Sequence, residues 1–169
     1  MRVAHINVTS ELSTGRIALG ICESLQRSGH AALLCHARGG APGTVPSYRI
    51  GNRWDTLVHA GLARLFDCAG FLSRHATKKL VRQLMAYKPD LVHLHNLHGY
   101  YLNLPMLMGY LAEAGVPVVW TLHDCWPFTG HCAHYAMAGC ERFRSGCHDC
   151  PNKKQYPASY LLDRSKQNW

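Results

Sequence analysis

Five cysteines, Cys125, Cys132, Cys140, Cys147 and Cys150, fall within 26 residues, and seven of the twelve histidines lie between His93 and His148. Four of the thiols form the pattern Cys132-x7-Cys140-x6-Cys147-x2-Cys150, with Cys125, His131, His134 and His148 as a second layer. Thiolates with one C-x2-C knuckle suit a structural zinc, whose closed tetrahedral sites are built from Cys and His. The spacings of seven and six depart from a double knuckle, so small buried residues compete with the metal reading, and a disulfide framework trails both.

Three further groups sit where strands should end. Thr9-Ser10-Glu11-Leu12-Ser13-Thr14-Gly15-Arg16 offers hydroxyls, a glycine and the start of a helix, whose free N–H groups can hold a phosphate. A single glycine is neither a dinucleotide fingerprint nor a Walker loop, and Ser13-Thr14-Gly15 reads equally well as a helix cap. His95-Asn96-Leu97-His98-Gly99 and His123-Asp124-Cys125-Trp126 offer imidazoles, an amide and a carboxylate. His93 and His95 alternate with Leu91 and Leu94 in an apolar strand, which makes His93 a hydrogen-bonded core histidine. His98 and His123 lie beyond strand ends, where an imidazole can face a ligand.

The elements that must position these residues alternate. Val3 to Val8 reads as a strand, residues from Ile17 to Leu25 as a helix stopped at Gly29, and Ala31 to His36 as a second strand. A short strand is expected near Tyr48 to Ile50 and a helix from Trp54 to Phe66. Ser73 is the expected cap of a helix that buries Ala76, Leu80, Leu84 and Tyr87 and ends at Pro89. Leu91 to Leu94, a helix from Leu104 to Ala114 closed by Gly115, and a strand from Val116 to Leu122 complete the pattern. Strands alternating with helices imply an α/β fold, a Rossmann-like doubly wound parallel sheet. Ligands of such sheets bind beyond the carboxyl ends of the strands, which would bring all three groups to one edge. Residues from Asp124 to Pro157 show no period, and a loop that long needs something to tie it down. Ala158 to Trp169 reads as helical.

Composition sets the outer bounds. The chain has 169 residues, is 47% hydrophobic and 17% charged, and carries a formal net charge of +8 with its histidines neutral. No run approaches the ~18 apolar residues of a membrane span, so disordered, collagen-like and membrane-spanning classes are excluded. Met1-Arg2 leads into Val3 without a signal-type apolar region, which with the modest cysteine density gives the expectation of a cytosolic protein with reduced thiols. Residues 1–120 hold 12 basic and 6 acidic side chains. Arg74, Lys78 and Arg82, with Lys79 beside them, form a stripe that could meet anionic lipid headgroups, although most such stripes are solvated helix faces.

The segments Met1-Arg2-Val3-Ala4-His5-Ile6-Asn7-Val8, Ser13-Thr14-Gly15-Arg16-Ile17, Pro89 through Tyr101, and Val118 through Trp126 together resemble the N-terminal half of glycosyltransferase family 4. Phe128-Thr129-Gly130-His131-Cys132 and the stretch to Ser165 are similar to a bacterial subgroup of exopolysaccharide and colanic-acid-like synthesis. The resemblance implies a GT-B fold, with a Rossmann-like domain over 1–122, a Cys/His-rich insertion over 123–157, and a C-terminal helix over 158–169 leading to a second domain. It implies sugar transfer with retention from a UDP- or GDP-type donor to a glycan or lipid-linked acceptor, with no catalytic metal. Ser13, Thr14, Gly15 and Arg16 then map near the donor phosphate, His123 with Asp124 near the transferred sugar, and His95, Asn96, His98 and Tyr100 on the acceptor side.

In the family the donor site lies in a second domain that carries a basic pair and two glutamates separated by seven residues. The only glutamates here are Glu11, Glu23, Glu113 and Glu141, none so spaced. The expectation is therefore half an enzyme, inactive alone, cytoplasmic or peripheral on the inner membrane face. Cys132, Cys140, Cys147 and Cys150 are its candidate structural zinc ligands. The alternative is a zinc-stabilised module that binds nucleic acid or protein without catalysis. Nucleic acid is not the expected partner, because most of the excess basic charge lies in residues 1–120, outside the Cys cluster.

Overall fold

A computed structural model describes residues 1–169. Five parallel strands, β1 (Arg2–Thr9), β2 (Ala31–Arg38), β3 (Ser47–Arg49), β4 (Leu91–Leu94) and β5 (Val118–Trp120), form one sheet in the order β3-β2-β1-β4-β5. The crossovers carry α1 (Leu12–Arg27), α2 (Arg53–Phe66), α3 (Arg74–Tyr87) and α4 (Leu104–Ala114). The strand order reverses at β1, where a doubly wound sheet opens its crevice.

Alternation along the central strands feeds two cores. Ala4 and Ile6 pair in register with Leu33 and Cys35 and, on the other side, with Val92 and Leu94, and these side chains pack on Leu80, Leu84, Leu107 and Leu111 of α3 and α4. Ala32 and Leu34 face the opposite way, onto Ala18 and Cys22 of α1. Each fully buried leucine contributes about 1.5–3 kcal/mol relative to exposure. His5 and His93, directly paired in register, lie on the α1 side.

The helix ends follow from residue type in most places. Gly115 and Gly29 take the left-handed conformation expected of helix-stopping glycines, and Lys88 does so just before Pro89. Asn52 and Asp55 close a reciprocal capping box on α2. Ser73 departs from expectation. It occupies the N-cap position of α3 but makes no capping bond, because its hydroxyl pairs with His59 Nδ1 at 2.8 Å. The short strand lies at Ser47–Arg49, one residue earlier than its apolar residues suggest, and β5 is confined to Val118–Trp120.

After Trp126 the chain belongs to none of the three apolar clusters. It forms three short 3-10 helices, Trp126–Phe128, Tyr135–Ala138 and Arg142–Arg144. The helix expected over Ala158 to Trp169 shrinks to α5 (Ser165–Asn168). The preceding residues are held by α2 instead: Tyr160 and Leu162 donate their N–H groups to the carbonyls of Arg64 and Leu65 at 2.6 and 3.1 Å. No helix is long and apolar enough to cross a membrane.

Candidate functional site

The rim of the sheet is joined by one amide. Asn7, buried near the end of β1, donates through Nδ2 to the Thr9 carbonyl at 2.8 Å and to Thr14 Oγ1 at 3.3 Å. Its Oδ1 accepts the Asn96 N–H at 3.2 Å. The first turn of α1 and the loop after β4 are thereby fixed to the same strand end. Gly15 makes the turn tight: a Cβ there would stand 2.6 Å from the Ser10 carbonyl carbon. The close approach that this glycine permits is to the protein's own backbone. Gly99, at φ +114°, similarly lets the β4 loop pass Val8, whose Cγ2 would lie 2.5 Å from an added Cβ. Ser13 and Arg16 are exposed and Thr14 is half-buried. Glu11 at the N-cap of α1 makes no capping bond, and Leu12 is left-handed at φ 61° and largely exposed.

Behind this rim β1, β4 and the chain beyond β4 and β5 carry a file of imidazoles. His5 Nδ1 meets His95 Nε2 at 3.2 Å, and His95 Nδ1 meets His123 Nε2 at 3.1 Å. His93 stacks on His95 with ring centroids 4.2 Å apart and bonds Thr121 Oγ1 at 2.8 Å. Burial and the neighbouring His93 push His5 down to about 4, and burial with the surrounding imidazoles pushes His95 to about 3. Both are neutral near pH 7. Donor atoms of His5, His93 and His95 lie within 4.8 Å of one another, a spacing open to a metal ion. Three of the ring nitrogens, however, already serve in hydrogen bonds, His5 Nδ1 with His95 Nε2 and His93 Nε2 with Thr121 Oγ1. His5 Nε2 is buried without a partner.

A second chain braces the loop that bears His123. Asp124 accepts from or shares a proton with His98 Nε2 at 2.6 Å, and His98 Nδ1 meets the Tyr156 hydroxyl at 3.0 Å. Burial raises the Asp124 carboxyl, but hydrogen bonds from His98 and the Trp126 N–H outweigh it and hold the group below the ordinary carboxylate value. Asp124 thus has both oxygens engaged, and it acts as a brace.

The four acceptor-side candidates separate. His95, His98 and Tyr100 are all less than 5% exposed. His95 and His98 are spent on other side chains, and Tyr100 packs with Ala60 and Ala63 under the Arg64 guanidinium. All three lie in the wall behind the rim. Asn96 is half-buried, and His123 is the half-buried imidazole at the outer end of the file.

Cys132, Cys140, Cys147 and Cys150 line one small cavity of about 10 Å³, together with His131, Tyr135 and Phe143. All eight cysteines are unpaired. Cys132 and Cys150 are in side-chain contact. His131 Nδ1 pairs with Asp67 Oδ1 at 2.5 Å.

Asp67 and Asn7 are the residues that motif reading misses. Asp67 ends α2 in a left-handed conformation and also accepts the N–H of Arg164 at 2.8 Å and, through its carbonyl, the Asn168 amide at 2.9 Å. Its partners lie 64 to 101 residues away in sequence, so no local pattern announces it. In the sequence Asn7 is one of several polar residues in β1, and nothing local distinguishes it.

Residues 14–162 match the family model described as Glycosyltransferase Family 4. WcaC of Escherichia coli (strain K12), a protein named as a colanic acid biosynthesis glycosyl transferase, is 39% identical over 120 residues. The match covers 68% of this chain and 28% of that protein, so the chain spans less than a third of this relative's length. The solved structure of the glycosyltransferase SsfS6 from Streptomyces sp. SF2575 is similar at a TM-score of 0.49 and 12% identity, over 73% of this chain and 40% of that one.

Proposed function

The chain belongs to glycosyltransferase family 4, and from that membership we propose that it forms the acceptor-side half of a GT-B sugar-transfer site used in surface polysaccharide synthesis. The observation that supports this is the convergence of three strand ends on one rim, joined by Asn7 and backed by the imidazoles that end at His123. The donor is a UDP- or GDP-type sugar nucleotide, and transfer proceeds with retention. The acceptor is a glycan or lipid-linked sugar.

The geometry supports a role for each residue. The first turn of α1 has no side-chain cap, so its N–H groups remain free to meet a diphosphate beside Ser13, Thr14 and the Arg16 guanidinium. His123 is engaged through Nε2, which leaves Nδ1 for the sugar. Its tautomer can be assigned from the file. If the protons point outward, His5 and His95 donate from Nδ1, His123 carries Nδ1–H, and the unpartnered His5 Nε2 is a bare acceptor. If they point inward, that buried nitrogen is an orphaned N–H, the rarer and costlier arrangement. His123 therefore presents a donor to the rim. An N–H donor there stabilises charge developing on a sugar oxygen and orients a hydroxyl, without accepting the proton itself.

A membrane surface is the second partner. Trp54, Leu57, Val58, Leu62 and Leu65 recur at helical spacing on the solvent face of α2, and Trp54 is 75% exposed. Arg74, the head of the basic stripe on α3, lines the groove of about 400 Å³ beside Trp54, Val58 and Leu62. An apolar ridge bordered by cations suits the interface of an anionic leaflet, where a lipid-linked acceptor would lie.

The test is nucleotide release from UDP- and GDP-sugars. The isolated chain should release nothing above background. In a longer protein that carries both halves of the site, His123→Ala should lower kcat on the order of a hundredfold, about 2.7 kcal/mol, with the donor KM little changed. Turnover by the isolated chain, or an unaffected His123→Ala enzyme, would refute the assignment.

A further inference from the structure

Residues 129–165 hold a defined shape without an apolar cluster of their own. Their buried side chains include Thr129, His131, Asn152 and Ser165, and the chain crosses itself closely: a Cβ on Gly130 would overlap the Ser165 carbonyl oxygen. A stretch of this length with few apolar contacts does not offset its conformational entropy by packing alone. At its centre lies the cavity of about 10 Å³, room for a single water or ion, and four thiols from separate points of the chain line it.

We propose that Cys132, Cys140, Cys147 and Cys150 bind one zinc-class cation as a closed tetrahedral thiolate site that holds this segment together. Several features of the cavity support the assignment. Cys132 and Cys150 already touch, although they are 18 positions apart in sequence. Backbone N–H groups of Gly130 and Asn152 are directed at the sulfurs of Cys147 and Cys150. The Asn152 contact, from two residues beyond the last cysteine, delocalises thiolate charge as hydrogen bonds around ligating groups do. Tyr135 and Phe143, with ring centroids 4.2 Å apart, line the cavity beside the sulfurs. His131 also lines it; its Nδ1 is fixed by Asp67 and its Nε2 is buried without a partner. That makes His131 the competitor for the fourth position.

All four thiols line the cavity, Cys132 and Cys150 in contact, and the ion supplies the attraction that gathers the set to ligand spacing. Binding exchanges four thiol protons to solvent for four metal–sulfur bonds, with no change of oxidation state. The free energy of those bonds is folding free energy for the segment. The inference does not rest on the glycosyltransferase reading, since its test involves no turnover.

The whole chain, purified without a histidine tag, should contain about one zinc per molecule by elemental analysis. Replacement by Co²⁺ should give an intense sulfur-to-cobalt charge-transfer band of four-thiolate strength. Cys147→Ser should lose the metal and Cys68→Ala should keep it. Removing the metal with a mercurial and a chelator should raise amide exchange within residues 129–165 while β1, β2 and β4 stay protected. A folded chain with no bound metal, a disulfide among these cysteines, or a cobalt spectrum with only nitrogen ligands, as His5, His93 and His95 would give, overturns the proposal. A spectrum of three thiolates overturns the four-cysteine set in favour of His131. If Cys147→Ser fails to fold, the zinc content and cobalt spectrum of the unaltered chain still decide.

Discussion

The most informative side chains are those that the strand period turns inward and then leaves polar. An imidazole at His5 or His95 costs desolvation, which an alkyl group would not, and the hydrogen bonds to its neighbours only partly offset that cost. In the proposed mechanism the return is orientation: His95 holds His123 in one tautomer. His95→Gln retains one hydrogen-bonding partner for His123 but lets either tautomer form. At neutral pH, ¹⁵N shifts of the unaltered chain should show His123 protonated at Nδ1 and bare at Nε2. His95→Gln should mix the two, and in a longer protein that carries both halves of the site it should lower kcat roughly tenfold, about 1.4 kcal/mol, with a shifted pH profile and little change in KM. An Nε2–H tautomer in the unaltered chain would reverse the assigned direction. The alternation of Leu91, His93, Leu94 and His95 made histidines legible as strand residues. It did not reveal that His5 lies opposite His93, because strand pairing across 88 residues of sequence is set by register.

At the level of elements, most boundaries were legible because they depend on local chemistry: Gly115, Gly29 and Pro89 stop helices wherever they stand. Ser73 was misread for the opposite reason, since its hydroxyl is claimed by a histidine on another helix. The helix α2 inverts the usual pattern, with alanines inward and its large apolar residues outward. Ala60 and Ala63 are buried, while Leu57 and Val58 are 50% and 60% exposed. Small inward residues let α2 lie close to its neighbours, and the outward ridge is free to meet lipid. Trp54→Ala with Leu57→Ala should leave stability within about 1 kcal/mol, because neither side chain is buried, yet reduce partition onto anionic vesicles several-fold. Converting Lys78, Lys79 and Arg82 to Gln should cost roughly fivefold per charge at low salt, about 1 kcal/mol each. Neutral vesicles should bind weakly throughout. Equal binding by all variants would remove α2 and α3 from any membrane contact.

For the whole molecule, the parallel sheet was readable from alternation and the irregular segment was not, since its shape rests on contacts that link Asp67 to residues 131, 164 and 168. Local periodicity carries no information about such contacts, and an ionic centre adds none that spacing alone can prove. The buried imidazoles nevertheless give the entire fold a shared acid sensitivity. His5 and His59 are pushed down to about 4 by burial, His95 to about 3, and His36 and His93 are also lowered by burial. In the unfolded chain each titrates near 6.5. Between that value and about 4 the unfolded state binds protons that the folded state refuses, so stability is complete above pH 6.5 and declines as pH falls. For His5 alone the loss by pH 4 is on the order of 3 kcal/mol. Urea midpoints should therefore be flat from pH 7 to 8 and drop steadily from pH 6.5 to 4.5. His5→Gln, which removes one titrating ring, should flatten part of that slope at unchanged metal content. A midpoint that stays constant down to pH 5 would mean that these rings are hydrated or already charged, and the file from His5 to His123 could not then be the neutral hydrogen-bonded chain on which the orientation of His123 depends.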